Sequence, residues 1–174
     1  MKERLITASM VLVLSVSFLF SGCDSPTPEE EGFAIYLTRD NIPVEKMEAL
    51  SHIEIAEEPI ISGDDVISYD WKTHEIEITA AAFDRIKQGK KSVPGESFIV
   101  CVNRQPVYWG AFWSLLSSQS FDGITIMRPF NTNTEGGYFI NITRGYPSEG
   151  FYQGEDPRSS QSIKEALEKA GKLE

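Results

Sequence analysis

The stretch SFIVCVNRQPVYWGAF, residues 97–112, contains two apolar runs separated by a short polar break. The runs, 97–102 and 106–112, are rich in β-branched and aromatic residues, a composition that is typical of strands. The break, 103–105, is followed by Pro106, and a polar break of this kind before a proline favours a turn. The stretch therefore predicts a hairpin between two central strands of a sheet.

Five other segments have the same strand pattern, being short, rich in Ile and aromatic residues, and bounded by Gly, Pro, Asn or Asp. These predicted strands are 33–38, 52–56, 74–79, 123–127 and 138–143. Because strands dominate and do not alternate regularly with helices, we predict an α+β fold. In this fold a mainly antiparallel sheet carries two or three helices packed on one face.

Helix patterns are fewer than strand patterns. One helix is predicted from an N-cap at Thr79 to about Gln88, with apolar residues on one face. A second begins at the capping-box pair Ser162 and Glu165, or at the alternative caps Ser159 and Ser160, and ends at Gly171. A third, short helix is predicted over 44–50.

Composition limits the classes of protein to which the chain can belong. It has 174 residues, 41% of them hydrophobic, which suits a single globular core. The formal net charge of −10 argues against a nucleic-acid binder, since such a protein needs a basic surface to displace counterions. Two cysteines are too few for a disulfide scaffold.

The amino end has the three parts of a secretory signal peptide. A basic start, Met1–Arg4, precedes an uncharged and largely apolar run, 5–20, and then the small residues Ser21 and Gly22. The apolar run is shorter than the roughly 20 residues that a membrane-spanning helix needs. Residues 1–22 are therefore predicted to be a signal peptide that is removed on export.

The segment Leu19-Phe20-Ser21-Gly22-Cys23 resembles the lipobox of bacterial lipoproteins. The resemblance implies that lipid is attached to the thiol of Cys23 and that the chain is cut before this residue. It also implies a protein that is exported, extracytoplasmic and anchored to a membrane by lipid. Residues 23–32 are then the lipidated cysteine and an acidic, proline-containing linker, and 33–174 form a single domain.

A second resemblance concerns the order of elements inside the domain. The sequence ISGDDV, 61–66, is followed by a strand ending at Thr79, a short helix and the strand pair FIVCVN/QPVYWG, 98–110. This order is similar to that of the extracytoplasmic head of SecD-type translocase subunits. The similarity covers about residues 60–127 and implies a fold, not a role in secretion.

No arrangement of residues typical of a catalytic centre is found in the sequence. His74 shares a strand face with Ile76 and is predicted to be a half-buried histidine, hydrogen-bonded to one of its neighbours Tyr69, Asp70 and Trp71. His52 and Glu54 supply two possible ligands, too few for a metal site. The serines lie outside any nucleophile elbow, and Cys101 is predicted to be buried in its strand. We predict no cofactor and no metal.

Two segments are candidates for a binding surface. The aromatic group at 108–113 includes Trp109 and Trp113. These two side chains are candidates for the binding surface unless they are part of the core. The stretch 145–158 lacks any regular period and mixes aromatic with charged residues, as binding rims do. Its candidate binding residues are Tyr146, Tyr152, Asp156 and Arg158. Alternatively, both segments only cover the core.

Together these patterns predict a lipid-anchored binding or accessory module of the cell envelope. Its expected partners are the membrane, through the lipid on Cys23, and an envelope protein, a peptide or a small ligand. One alternative is an envelope hydrolase with a dispersed site of histidine, serine and carboxylate. Another is a structural lipoprotein, which would show neither a pocket nor an exposed aromatic patch.

Overall fold

A computed structural model describes residues 31–89, 95–129 and 136–174, which form one sheet and two α-helices. The strands are β1 (Phe33–Leu37), β2 (Val66–Asp70), β3 (Glu75–Ile78), β4 (Glu96–Val102), β5 (Gln105–Trp113), β6 (Phe121–Met127) and β7 (Phe139–Tyr146). The helices are α1 (Ala80–Gln88) and α2 (Gln161–Lys169). The predicted fold class, α+β with a mainly antiparallel sheet, is confirmed.

The strand order is β1-β4-β5-β6-β7-β3-β2, and every pair is antiparallel except β5 with β6. The predicted hairpin joins β4 to β5 through Asn103 and Arg104. Both residues have positive φ, 49° and 62°, as a two-residue type I′ turn requires. The stretch 97–112 therefore places two strands in the interior of the sheet.

The sheet is strongly curled, so its two outer strands, β1 and β2, lie close together. The ring centroids of Phe33 in β1 and Tyr69 in β2 are only 6.0 Å apart. One segment bridges the two edges: Ile61 pairs with Ile35 of β1, and five residues later the same segment begins β2. The other side of β2 is covered by residues 172–174, whose backbone bonds to Tyr69 and Trp71.

Both helices bury apolar side chains in the same hydrophobic cluster as the sheet. Thr79 caps α1 by accepting a hydrogen bond from the N–H of Ala82, as predicted. The buried residues of the helices are Ala82, Phe83 and Ile86 in α1 and Ile163 and Leu167 in α2. They pack with sheet residues that include Phe98, Tyr108, Phe112, Ile126 and Ile142.

The opposite side of the sheet is covered in part by the irregular connection after β1. Ile53 packs against Tyr36 and Ile99 there, with Met47 and Leu50 beside it. The predicted helix over 44–50 is wrong, since the chain forms only short 3-10 turns at Val44–Lys46 and Leu50–His52. The predicted strand 52–56 is also wrong: it is reduced to a single bridge between Ile55 and Thr38, because only this point meets the edge of β1.

The structure differs from the sequence predictions in two further places. Strand β2 was not predicted, because its sequence VISYD has a polar residue at two of five positions and no clean alternation of buried and exposed residues. Helix α2 begins after Ser160, one of the alternative caps, so Ser162 lies inside the helix and does not cap it. Its end is as predicted, with Gly171 at a φ of +67°.

The predicted signal peptide, the lipobox and Cys23 lie outside the described residues, as does most of the linker. In the part of the chain that the structure describes, no helix has the length and apolar character needed to cross a bilayer. The lipid anchor and the export of the chain therefore stay predictions.

Candidate functional site

A cleft of about 310 Å³ opens where β5 and β6 diverge, and we call it the β5–β6 cleft. The parallel pairing of the two strands begins only at Gly110 and Ile124. Below this pair the strands separate, and the loop before α2 and the 3-10 turn at Leu50 close the sides. The principal lining residues are Leu50, Tyr108, Trp109, Asp122, Tyr152 and Pro157.

The cleft brings together two of the predicted binding residues. Trp109 and Tyr152 are 43 positions apart in the chain, and both line the cleft with partly exposed rings. Trp113 is placed differently: it is 3% exposed, stacks on Phe121 with ring centroids 5.1 Å apart and lies 5.9 Å from Tyr146. Trp113 and Tyr146 thus belong to a packed aromatic cluster beside the cleft.

Tyr108 is a lining residue of the cleft, but its side chain lies on the opposite face of β5 from Trp109, in the hydrophobic cluster shared with the helices. Its side chain is 4% exposed, and burial raises its pKa well above the ordinary value. No hydrogen-bond partner for its hydroxyl is found among the described residues. Because this hydroxyl is buried in the core, it is not available to a ligand in the cleft.

The wall formed by residues 152–157 is held by a network of charged side chains. Arg158 donates two hydrogen bonds to Asp156, at 2.9 and 2.6 Å, and a third at 2.8 Å to the carbonyl of Ile142. Arg144 lies 2.9 Å from Glu149 and 3.6 Å from Asp156. The hydrogen bond from Arg158 lowers the pKa of Asp156 to about 2. The two predicted charged residues, Asp156 and Arg158, thus pair with each other and hold the wall in position.

The rim of the cleft carries polar groups that remain accessible. Asp122 and Gln153 are both exposed, and the N–H of Gln153 donates to the carbonyl of Asp122 at 3.2 Å. No described cation forms an ion pair with Asp122. The cleft therefore combines an aromatic wall with an exposed carboxylate and an exposed amide, a mixture that suits the binding of a small ligand or a side chain.

The two histidines are not arranged for catalysis. His74 is 5% exposed, and its Nδ1 lies 2.9 Å from the hydroxyl of Tyr69, which confirms the predicted bonded histidine. Burial lowers its pKa. His52 is exposed, and its nearest charged partner is Glu48 at 3.9 Å. Neither contact is that of a general base with a serine nucleophile.

Among the described residues, the thiol of Cys101 and the possible metal ligands also form no reactive site. Cys101 is fully buried, as predicted, and burial raises the pKa of its thiol to about 12, so it is neither an accessible nor an ionised nucleophile. The described residues contain no group of three or more potential ligands that could hold a metal ion.

A second groove, of about 480 Å³, runs between α2 and the start of β1. Two of its charged residues, Lys172 and Glu31, already have partners in the protein. Lys172 donates to the carbonyls of Gly63 and Val66, and Glu31 accepts from Tyr36. The β5–β6 cleft is the better candidate site, because it brings together two of the predicted binding residues, Trp109 and Tyr152, beside the exposed Asp122.

Sequence reasoning missed several of the lining residues. Asp122 comes from the start of β6, Leu50 from the connection after β1 and Gln153 from the loop before α2, and no local pattern links them. The glycine at 110 was an available signal: a Cβ there would lie 2.5 Å from the carbonyl oxygen of Ile124, which shows a close approach of two strands.

No family model, curated protein or solved structure matches the chain. The function of the cleft must therefore be argued from its own geometry.

Proposed function

We propose that this protein is a binding module of the cell envelope, held to a membrane by lipid on Cys23, whose ligand occupies the β5–β6 cleft. The observation that carries this proposal is the meeting of Trp109 and Tyr152, both partly exposed, with the exposed Asp122 in one cleft. Aromatic side chains with a polar neighbour supply much of the binding energy in protein interfaces.

The anchor and the cleft are compatible in position. Trp109 of β5 pairs with Ile99 of β4, which pairs with Tyr36 of β1, so the cleft lies two strands away from the strand that follows the linker. Between Cys23 and Glu31 the chain can reach at most about 30 Å when fully extended. A tether of this length keeps the domain close to the bilayer and attaches it away from the cleft.

The test measures ligand-induced thermal stabilisation of the full chain, purified in detergent, against a panel of capped dipeptides, disaccharides and aromatic fragments. At least one compound is expected to raise the Tm of the wild type. Its effect should be lost in Trp109→Leu and reduced in Asp122→Ala. Leu115→Ser, at a residue that is 63% exposed and does not line the cleft, is the matched control and should respond like the wild type.

Circular dichroism separates a lost site from a lost fold in each variant. If no compound on the panel stabilises the wild type in a manner that depends on Trp109, the proposal is wrong. The structural alternative then becomes the better account of the chain.

A further inference from the structure

A groove and a neighbouring cavity lie side by side at the start of the domain. The groove between α2 and the start of β1, which we call the α2 groove, has a volume of about 480 Å³. The cavity beside it, lined by residues 31, 57–58, 62–64 and 104, has a volume of about 500 Å³, and we call it the acidic cavity. The two share the lining residues Glu31, Gly63 and Asp64, so a ligand that fills one of them reaches the other.

The α2 groove is apolar at its base. Its buried lining residues are Phe33, Val66 and Leu167, each at most 3% exposed. Three residues of the helix that line it are small and recur every four positions, which places them on one side of α2: Ser162, Ala166 and Ala170. Because these side chains are short, the helix leaves room for an apolar group against the buried residues.

The acidic cavity has more carboxylates than cations. Its lining contains four acids and one base: Glu31, Glu57, Glu58, Asp64 and Arg104. The guanidinium of Arg104 already lies 3.7 Å from Glu31, and it donates at 3.2 Å to the hydroxyl of Tyr36. The carboxylates of Glu57, Glu58 and Asp64 are exposed, and no described cation forms an ion pair with them. Since like charges around a concavity focus the field, the cavity attracts cations.

The two parts together indicate the chemistry of a partner. The groove suits one large apolar side chain, and the acidic cavity suits the ammonium groups of lysines next to it. Each volume lies in the range of about 300–1,000 Å³ that holds a whole small ligand, so the pair suits a longer ligand with two kinds of contact group. A basic peptide segment carries both kinds on one backbone.

We propose that the α2 groove and the acidic cavity bind a basic peptide segment of another protein, with an apolar side chain in the groove and neighbouring lysines in the cavity. The charges would steer the encounter, and the apolar side chain would supply most of the binding energy. This surface shares no lining residue with the β5–β6 cleft, so the inference does not depend on the ligand of that cleft.

The probe is a pool of capped hexapeptides in which two lysines flank one large apolar residue, Leu, Phe or Trp, at spacings of one or two glycines. Binding to the full chain in a non-ionic detergent is measured by isothermal calorimetry. The wild type is expected to bind this pool, and to bind it more weakly as the salt concentration rises. Pools with glutamate in place of lysine, or with glycine in place of the apolar residue, should not bind.

The role of the acidic cavity is tested with the double variant Glu57→Gln and Glu58→Gln. Because two exposed carboxylates are neutralised, the affinity for the pool should fall about fivefold or more. The matched control is the double variant Asp40→Asn and Glu45→Gln, which removes the same charge from exposed residues outside both the groove and the cavity. It should bind like the wild type.

The role of the groove is tested by filling it. Ala170→Leu places a larger side chain in the groove at an exposed position and should lower the affinity about tenfold or more. Gln161→Leu, at an exposed position of α2 that does not line the groove, is the matched control and should bind like the wild type. Circular dichroism checks that each variant is folded, and Ser162→Leu replaces Ala170→Leu if that variant unfolds.

Several results would overturn the inference. One is the absence of binding to the wild type, and another is equal binding of the lysine and glutamate pools. Equal affinity for 4-phenylbutylamine and for the peptides would show that the surface takes a small amine instead of a peptide. A loss of peptide binding in Trp109→Leu would place the peptide in the β5–β6 cleft, whereas unchanged binding in this variant supports a separate surface.

Discussion

At the scale of single residues, Arg158 connects the loop before α2 to the sheet. It is 6% exposed, and its guanidinium bonds to both oxygens of Asp156 and to the carbonyl of Ile142 in β7. A buried cation is tolerated when it is paired and its donors are satisfied. Because both conditions hold here, the wall that carries Tyr152 and Pro157 is fixed before any ligand arrives.

We expect part of the free energy of unfolding to depend on the ionisation of Asp156. Its pKa is about 2 in the folded chain, whereas an aspartate in an unfolded chain titrates at about 3.9. Since the folded-state pKa is the lower one, this stabilisation is complete above about pH 4 and is lost as the pH falls toward 2. Urea denaturation should show a loss of about 1–2 kcal/mol over this range that is missing in Asp156→Asn.

Circular dichroism at neutral pH must first show that Asp156→Asn is folded. A wild type and a variant with the same pH dependence below pH 4 would contradict the assignment.

The sequence contained partial information on individual side chains. His74 was predicted as a bonded histidine because its strand neighbours are apolar, and Cys101 as buried because both faces of its strand are apolar. The same reasoning could not decide between Trp109 and Trp113. Both lie on one face of β5, and only the position of β6 and the loops around it makes one of them partly exposed and the other buried.

At the scale of elements, the parallel pair β5–β6 is the feature that creates the cleft. Its first paired residue, Gly110, lies against the carbonyl of Ile124 and the ring of Phe98, each 2.5 Å from where a Cβ would be. Because the backbone of a neighbouring strand cannot move aside as a flexible side chain can, any residue other than glycine would push β5 and β6 apart.

We therefore expect Gly110→Ala to lower the free energy of unfolding by about 1–3 kcal/mol, as overpacking in a close-packed core does. Denaturant unfolding measures the change. Gly150→Ala is the matched control, since its nearest atom to an added Cβ is the Ser148 hydroxyl oxygen at 3.7 Å and its φ is not positive. Equal stability of Gly110→Ala and the wild type would show that the two strands can separate freely.

Element prediction succeeded where the pattern and the partner agreed. The hairpin at 103–104 and the helix capped by Thr79 depend on residues close in sequence, and both were predicted. The segment 52–56 has strand alternation but meets only one pairing position on β1, whereas 66–70 lacks that alternation and gains two partners, β3 and the tail at 172–174. In both segments the presence of a pairing partner, and not the local sequence pattern, determines whether a strand forms.

At the scale of the whole molecule, the attachment of lipid to Cys23 can be tested by comparison with Cys101, the one thiol among the described residues. Cells that express the wild type and are fed a labelled fatty acid should yield a labelled protein in the membrane fraction. Cys23→Ala should be unlabelled, since the lipid would have no thiol to attach to. Cys101→Ala is the matched control: this thiol is buried and its pKa is raised to about 12, so removing it should leave the label unchanged.

An equal label on the wild type and Cys23→Ala would remove the anchor from the proposal. It would not affect the cleft, whose residues all lie in the described domain.

The candidate site as a whole could not have been assembled from the sequence. The residues that line it come from the connection after β1, from β5, from the start of β6 and from the loop before α2. Trp109 and Tyr152 were both selected for their aromatic character, but their meeting depends on a parallel strand pair in a mainly antiparallel sheet. Nothing in the local sequence distinguishes that pair from an antiparallel one.

The covering of β2 by the tail also determines when the sheet can be completed. Lys172 bonds to the carbonyl of Val66 across 106 positions of sequence, and residues 172–174 supply the backbone partners of the β2 edge. A chain emerging from the ribosome thus carries β2 with a bare edge until residue 174 has been added. Bare edges are where strands of different chains pair, so β2 stays open to pairing with another chain until residues 172–174 are in place.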